Sequence, residues 1–128
     1  MALEVDIEHR LGSAFTLAAR FRAEPGLTAI FGHSGSGKTS IINIIAGLIR
    51  PENGRVAVNG ETLVDTGRRI FVPRHRRRIG YVFQEPRLFP HLSVRRNLLY
   101  GRRFAPADAA VTTLEAVVAL LGIDHLLH

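Results

Sequence analysis

Nine consecutive residues, Gly32-His33-Ser34-Gly35-Ser36-Gly37-Lys38-Thr39-Ser40, limit the possible folds of this chain more than any other stretch. Before them runs the nearly continuous apolar segment Leu27 to Phe31, which reads as a strand buried on both faces. After them, Thr39 to Ile49 is apolar almost all round and reads as a helix sunk between other elements. Gly35 and Gly37 can take backbone conformations closed to other residues, so successive N–H groups can point into one concavity. Gly32, Gly37, Lys38 and Thr39 satisfy the spacing G-x-x-x-x-G-K-[ST] in the strand-to-helix setting that the pattern requires. Such a loop offers phosphate oxygens its main-chain donors and the positive end of a helix, with a lysine ammonium for the terminal phosphates and a hydroxyl able to ligate Mg²⁺. Residues 32–40 are therefore the candidate nucleotide-binding set, His33, Ser34, Ser36 and Ser40 included, with Thr39 as a metal ligand.

The rest of the chain reads as mixed α/β. Leu3, Val5 and Ile7 alternate with Glu4 and Asp6, and a second alternating run around Phe15 to Phe21 follows Gly12 and Ser13, so two antiparallel strands are expected at the start. Asn59-Gly60 between two β-prone runs is the strongest tight-hairpin signal. Ile79 to Phe83 reads as a further short buried strand. Ser93 can cap a short helix through Leu98, and Ala107 to Leu121 has the spacing of a longer amphipathic helix ended by Gly122.

With 128 residues the chain fits one domain, and no apolar run approaches the roughly 18 residues needed to cross a bilayer. A net charge of +6 suits anionic ligands. Without cysteine there is no disulfide framework or thiolate metal site, which fits a reducing compartment. Acidic residues stand near the N-terminus where a secretory signal would carry an apolar core, so cytosol is the default expectation. Six arginines lie between Arg68 and Arg78 with little aromatic surface interleaved, so the run reads as a solvated face and no nucleic-acid partner is expected. None of the six histidines forms an i, i+4 pair near a carboxylate that would suggest a zinc site.

Two stretches together carry a family resemblance. "GLTAIFGHSGSGKTSIINIIAGLIRPENGRVAVNG" and "IGYVFQEPRLFPHLSVRRNLLYG" are similar to the phosphate-loop and glutamine-loop regions of ATP-binding-cassette transporter ATPases, over nearly the whole chain. Details such as "LTAIFG" and "LLGIDHLL" resemble the molybdate-importing branch. The resemblance implies a P-loop NTPase core of the ABC type with an N-terminal antiparallel β portion, residues 1–128 forming the first part of one nucleotide-binding domain. It implies ATP and Mg²⁺ as cofactors. The expected partners are a second ATPase subunit and membrane permease subunits, at the cytoplasmic face of the inner membrane. Lys38 and Gln84 would be the catalytic residues, Gln84 contacting Mg²⁺ or the attacking water and moving with the membrane subunit, while Arg87 to Val94 would form part of the groove receiving that subunit. The family stacks adenine on an upstream aromatic; the corresponding position here holds Leu11, and Phe15 reads as a buried strand residue.

Hydrolysis in this family further uses a Walker B aspartate, a catalytic glutamate, a switch histidine and a signature motif from the second subunit. After Gln84 the acids are Glu85, Asp108, Glu115 and Asp124, and none stands in such a setting. Asp124 follows a helical pattern capped by Gly122. The expectation is an N-terminal portion of a longer ATPase that binds nucleotide without turning it over. Import of sulfate, iron, polyamine or sugar, or another phosphate-loop enzyme, are the alternatives.

Overall fold

The computed structural model describes residues 2–106 and 112–127, which form two compact units, Met1–Tyr81 and Val82–His128. The first unit is built on strands β1 (Leu3–Leu11), β2 (Phe15–Ala23), β3 (Asn53–Val58), β4 (Glu61–Asp65) and β5 (Ile70–Phe71), with helix α1 (Lys38–Ala46) between β2 and β3. The strands form one antiparallel sheet in the order β2-β1-β3-β4-β5. Both expected hairpins are present. Asn59 and Gly60 each have positive φ (52° and 81°), the two-residue turn whose twist matches its flanking strands.

The period of two in β1 and β2 sends Val5, Ile7 and Leu17 to one face, where they meet Val56 and Val64 from the sheet and Ile41 and Ile44 from α1. The register shifts between Val56 and Ala57, passing over Leu63, so Leu63 and Val64 are both buried although adjacent. Each fully buried aliphatic side chain here contributes about 1.5–3 kcal/mol relative to an exposed one. The opposite face of β1, β2 and β3 carries exposed ion pairs, Arg20 with Asp6, Arg22 with Glu4 and Glu24, and Arg55 with Glu4. Such pairs add little to stability.

Four sequence expectations are corrected. Leu27 to Phe31 is not a buried strand: it runs without strand pairing, and Leu27 and Phe31 are fully or almost fully exposed. A strand exists through its ladder, and no described strand pairs with this run, so of its large apolar side chains only Ile30 packs at the margin of the core. For the same reason Ile79 to Phe83 forms no strand, although Ile79 packs at the margin of the first unit's core. Among the described residues the sheet is wholly antiparallel, in keeping with the expected N-terminal antiparallel β portion. Helix α1 buries Ile41, Ile44 and Ala46 but exposes Ile42, so it lies with one face on the sheet instead of being sunk on all sides. Phe15 begins β2 yet is 45% exposed, not buried.

In the second unit, helix α2 (Val94–Leu99) starts at Ser93, whose hydroxyl accepts from Arg96 N. The Asn97 carboxamide accepts from Phe89 N and donates to the carbonyls of Phe89, Leu92 and Ser93, which pins the loop before the helix. Phe89 packs on Tyr100 with ring centres 4.3 Å apart. Helix α3 (Leu114–Leu121) is capped by Thr113 and closed by Gly122 in the left-handed conformation. The helix expected over Ala107 to Leu121 is shorter: Thr112 and Thr113 are not helical, and residues 107–111 lie outside those described. Asp124 lies in a single 3₁₀ turn, Asp124–Leu126, and not at a strand end.

Candidate phosphate-binding site

The loop from Gly32 to Gly37 closes on itself before α1 begins. Ser36 N donates to His33 O, Gly35 and Gly37 both have positive φ (78° and 89°), and Ile41 N makes the first helical bond to Gly37 O. No side chain caps this helix and its first turn holds no acid. The N–H groups of Lys38, Thr39 and Ser40 precede the first intrahelical donor and so open toward the loop, at the positive end of the helix dipole. Lys38 folds back over the loop, donating to Gly32 O at 2.8 Å, His33 O at 2.6 Å and Ser36 Oγ at 3.4 Å. One ammonium, three free main-chain donors and the exposed Thr39 hydroxyl thus converge within a few residues, an arrangement that can hold a multiply charged anion.

The hairpin β1–β2 supports the loop from beneath. A Cβ on Gly37 would lie 2.8 Å from Leu17 Cδ1 and 3.5 Å from Leu11 Cδ1. Leu11 is therefore half-buried against the loop's last glycine.

The other end of α1 is held by a residue that sequence reasoning missed. The helix closes in a Schellman turn: Gly47 is left-handed (φ 80°), Gly47 N donates to Ile44 O and Leu48 N to Asn43 O. Arg77 also binds this end: its Nη1 donates to Ile45 O and to Ile44 O, which Gly47 N shares, each at 2.8 Å, while Nε donates to Val72 O at 2.7 Å. Its guanidinium stacks over Phe71, and Nη2 is buried without a hydrogen-bond partner among the described residues. Burial lowers the Arg77 pKa from the ordinary arginine value by desolvating the charge. A Cβ on Gly47 would meet Arg77 Nε at 2.6 Å, so the glycine and the arginine require each other. Within a run of arginines no periodicity singles out the one that turns inward; Arg68, Arg69, Arg74, Arg76 and Arg78 are all exposed. Arg77→Ala is expected to cost about 2–4 kcal/mol in urea unfolding, because three charge-assisted bonds vanish. Arg77→Lys should restore only part of this, since an ammonium cannot span the same carbonyls.

Sequence reasoning thus places Gly32 to Ser40 in one continuous loop and helix start. Gln84, the remaining candidate, belongs to the second unit, where it is exposed in an irregular segment and not at the end of a strand. Among the described residues no group of three histidine, cysteine or acidic side chains could hold a metal ion. A divalent cation at the loop would then depend on the Thr39 hydroxyl and on oxygens of the anion itself, a donor set that suits Mg²⁺. Among the described residues, no helix is long and apolar enough to cross a membrane.

A family model described as ABC transporter matches residues 19–128. The Molybdenum import ATP-binding protein ModC of Rhizobium meliloti (strain 1021) is 59% identical over 127 residues, covering 99% of this chain and 35% of its own length. The protein of the same name from Rhizobium etli (strain ATCC 51251 / DSM 11541 / JCM 21823 / NBRC 15573 / CFN 42) is 60% identical over 128 residues, covering 100% and 36%. That of Paramagnetospirillum magneticum (strain ATCC 700264 / AMB-1) is 51% identical over 125 residues, covering 98% and 34%. The chain spans about 35% of the length of these relatives.

Proposed function

We propose, because the chain belongs to the ABC transporter family, that residues 32–40 bind the phosphates of ATP with Mg²⁺, and that within a longer protein this domain portion powers import of molybdate. The observation that supports binding is the loop itself: unpaired N–H groups of Lys38, Thr39 and Ser40 at an uncapped helix start, beneath the Lys38 ammonium. In this reading the Lys38 ammonium would turn from the carbonyls it now contacts to the terminal phosphates, and the main-chain donors of the loop would hold the remaining phosphate charge. Thr39 supplies the hydroxyl ligand for Mg²⁺, which when bound neutralises charge on the terminal phosphates. Gln84 is assigned a role at Mg²⁺ or the attacking water by family resemblance.

The oxyanion is assigned from the printed names of the relatives, whose identities of 51–60% run along essentially the whole chain. A second copy, permease subunits and a peripheral position at the cytoplasmic face of the inner membrane belong to the same proposal. The chain alone is expected to bind nucleotide without hydrolysing it.

Calorimetric titration tests the binding step. ATP with magnesium should give saturable heat, and adenosine under the same conditions should give none, since the loop holds phosphate and not base. A folded sample showing no heat with magnesium ATP would end this reading. Uptake by cells in which the coding sequence is disrupted separates the cargoes: molybdate uptake should fall while sulfate uptake is retained.

A further inference from the structure

Asn43 and Tyr81, which phosphate binding does not use, are joined across 38 positions of sequence: the Tyr81 hydroxyl donates to Asn43 Oδ1 at 2.7 Å in a partly buried hydrogen bond. Asn43 lies on α1, the nine-residue helix whose first turn opens from the loop. A helix of that length is a rod of about 13 Å, too short to bend, so a pull on its first turn is delivered along its length. Tyr81 is the last residue of the first unit, and Gln84 follows three residues later in sequence.

Residues 78–81 lie in no described strand. Helix α1 is tied to this part of the chain by two side chains. Arg77 is bonded to the carbonyls of Ile44 and Ile45, and Tyr81 to the side chain of Asn43. The Arg77 bonds complete the helix end and are accounted for by stability. The Asn43–Tyr81 bond is different: asparagine is a poor residue for a helix interior, and an apolar pair would fill the same space. What the polar pair adds is a defined register between the helix and the stretch leading to Gln84.

We propose that Asn43 and Tyr81 are positioning residues whose hydrogen bond transmits occupancy of the loop, through α1, to residues 79–84. Phosphate bound at the N–H groups of Lys38, Thr39 and Ser40 loads the helix at one end, and the Asn43 carboxamide carries that load to the Tyr81 phenol. Nucleotide binding then orders the root of the segment that bears Gln84. This rests on the nucleotide-binding reading of residues 32–40.

Hydrogen exchange read by mass spectrometry on the full chain, with calorimetry on the same samples, tests it. Magnesium ATP should slow exchange across residues 79–84 by about fivefold, the low end of ordinary coupling between sites. Asn43→Ala and Tyr81→Phe remove the bond from either side. Each should bind magnesium ATP within about twofold of the natural chain, well inside one factor of ten, and lose the slowing. Tyr81→Phe keeps the ring and its packing, so it remains informative if the helix variant does not fold. The chain has two tyrosines and no tryptophan, so in a Tyr100→Phe background the emission reports Tyr81 alone. That emission should change on adding magnesium ATP, and Asn43→Ala should abolish the change. The proposal is overturned if Tyr81→Phe retains the slowing, if it loses affinity as steeply as exchange protection, or if the natural chain binds magnesium ATP with no slowing. A natural chain that gives no binding heat fails the functional reading and this inference with it, and calorimetry distinguishes that case from the others.

Discussion

Lys38→Ala should weaken magnesium ATP binding by about 10- to 150-fold, the equivalent of a charge-assisted contact of about 1.5–3 kcal/mol. The ammonium lies over the loop, bonded to Gly32 O and His33 O in exposed hydrogen bonds. In the free chain those bonds are readily replaced by water, so the substitution should leave the urea midpoint nearly unchanged. The loss should follow phosphate number: strong for ATP, smaller for ADP, and absent for AMP, which leaves the lysine without a terminal phosphate to reach. Calorimetry with the three nucleotides gives the comparison. Equal affinity of the natural chain and the variant for ATP would remove Lys38 from the site.

Gly54→Ala should be the most damaging single methyl group in the first unit. Gly54 has a φ of 123°, which L side chains rarely adopt, and its added Cβ would run into the carbonyl oxygen of Asp6 and stand 2.6 Å from Ile7 Cα. Both obstacles are main chain in the facing strand, so relief requires opening the β1–β3 pairing. Gly54 is also clasped by Thr66, whose N–H donates to Gly54 O at 3.0 Å and whose hydroxyl accepts from Gly54 N at 2.9 Å. Strain and overpacking together are expected to cost about 3–5 kcal/mol, a large share of the stability of an ordinary domain. Circular dichroism should show a broad, early melt or no folded baseline. Gly101→Ala is the control: nothing lies within 4 Å of its Cβ position and its φ is not left-handed, so it should melt with the natural chain.

The sequence was most legible where local chemistry decides the outcome. Asn59-Gly60 announces its turn, Ser93 and Gly122 mark helix ends, and the 32–40 pattern fixes a loop with left-handed glycines, because each depends on neighbours in the chain. It was least legible where the outcome depends on distant partners. Leu27 to Phe31 has the composition of a buried strand, but composition cannot supply a neighbouring ladder, and the run stays unpaired, with Leu27 and Phe31 exposed and only Ile30 packed at the core's margin. Arg77 was hidden for the opposite reason. Its flanking arginines are chemically identical and exposed, and only the carbonyls of Ile44 and Ile45 at the end of α1, thirty-odd residues away, select it for burial. The candidate site was therefore legible as a list of residues, whereas its support from Leu17 below Gly37 and Arg77 behind α1 was not.

The place of β1 between β2 and β3 orders events during folding. Its pairing with β2 and the β3–β4 hairpin are both local, and such hairpins form within microseconds. The seam between β1 and β3 joins Leu3 to Val58 and Glu8 to Asn53, and it cannot zip until the intervening crossover has been gathered in. That crossover is the segment strung between β2 and β3, and it contains the whole of residues 32–40. The anion-holding geometry is thus a late product of folding, and a nascent or half-folded chain would acquire it only as this seam closes.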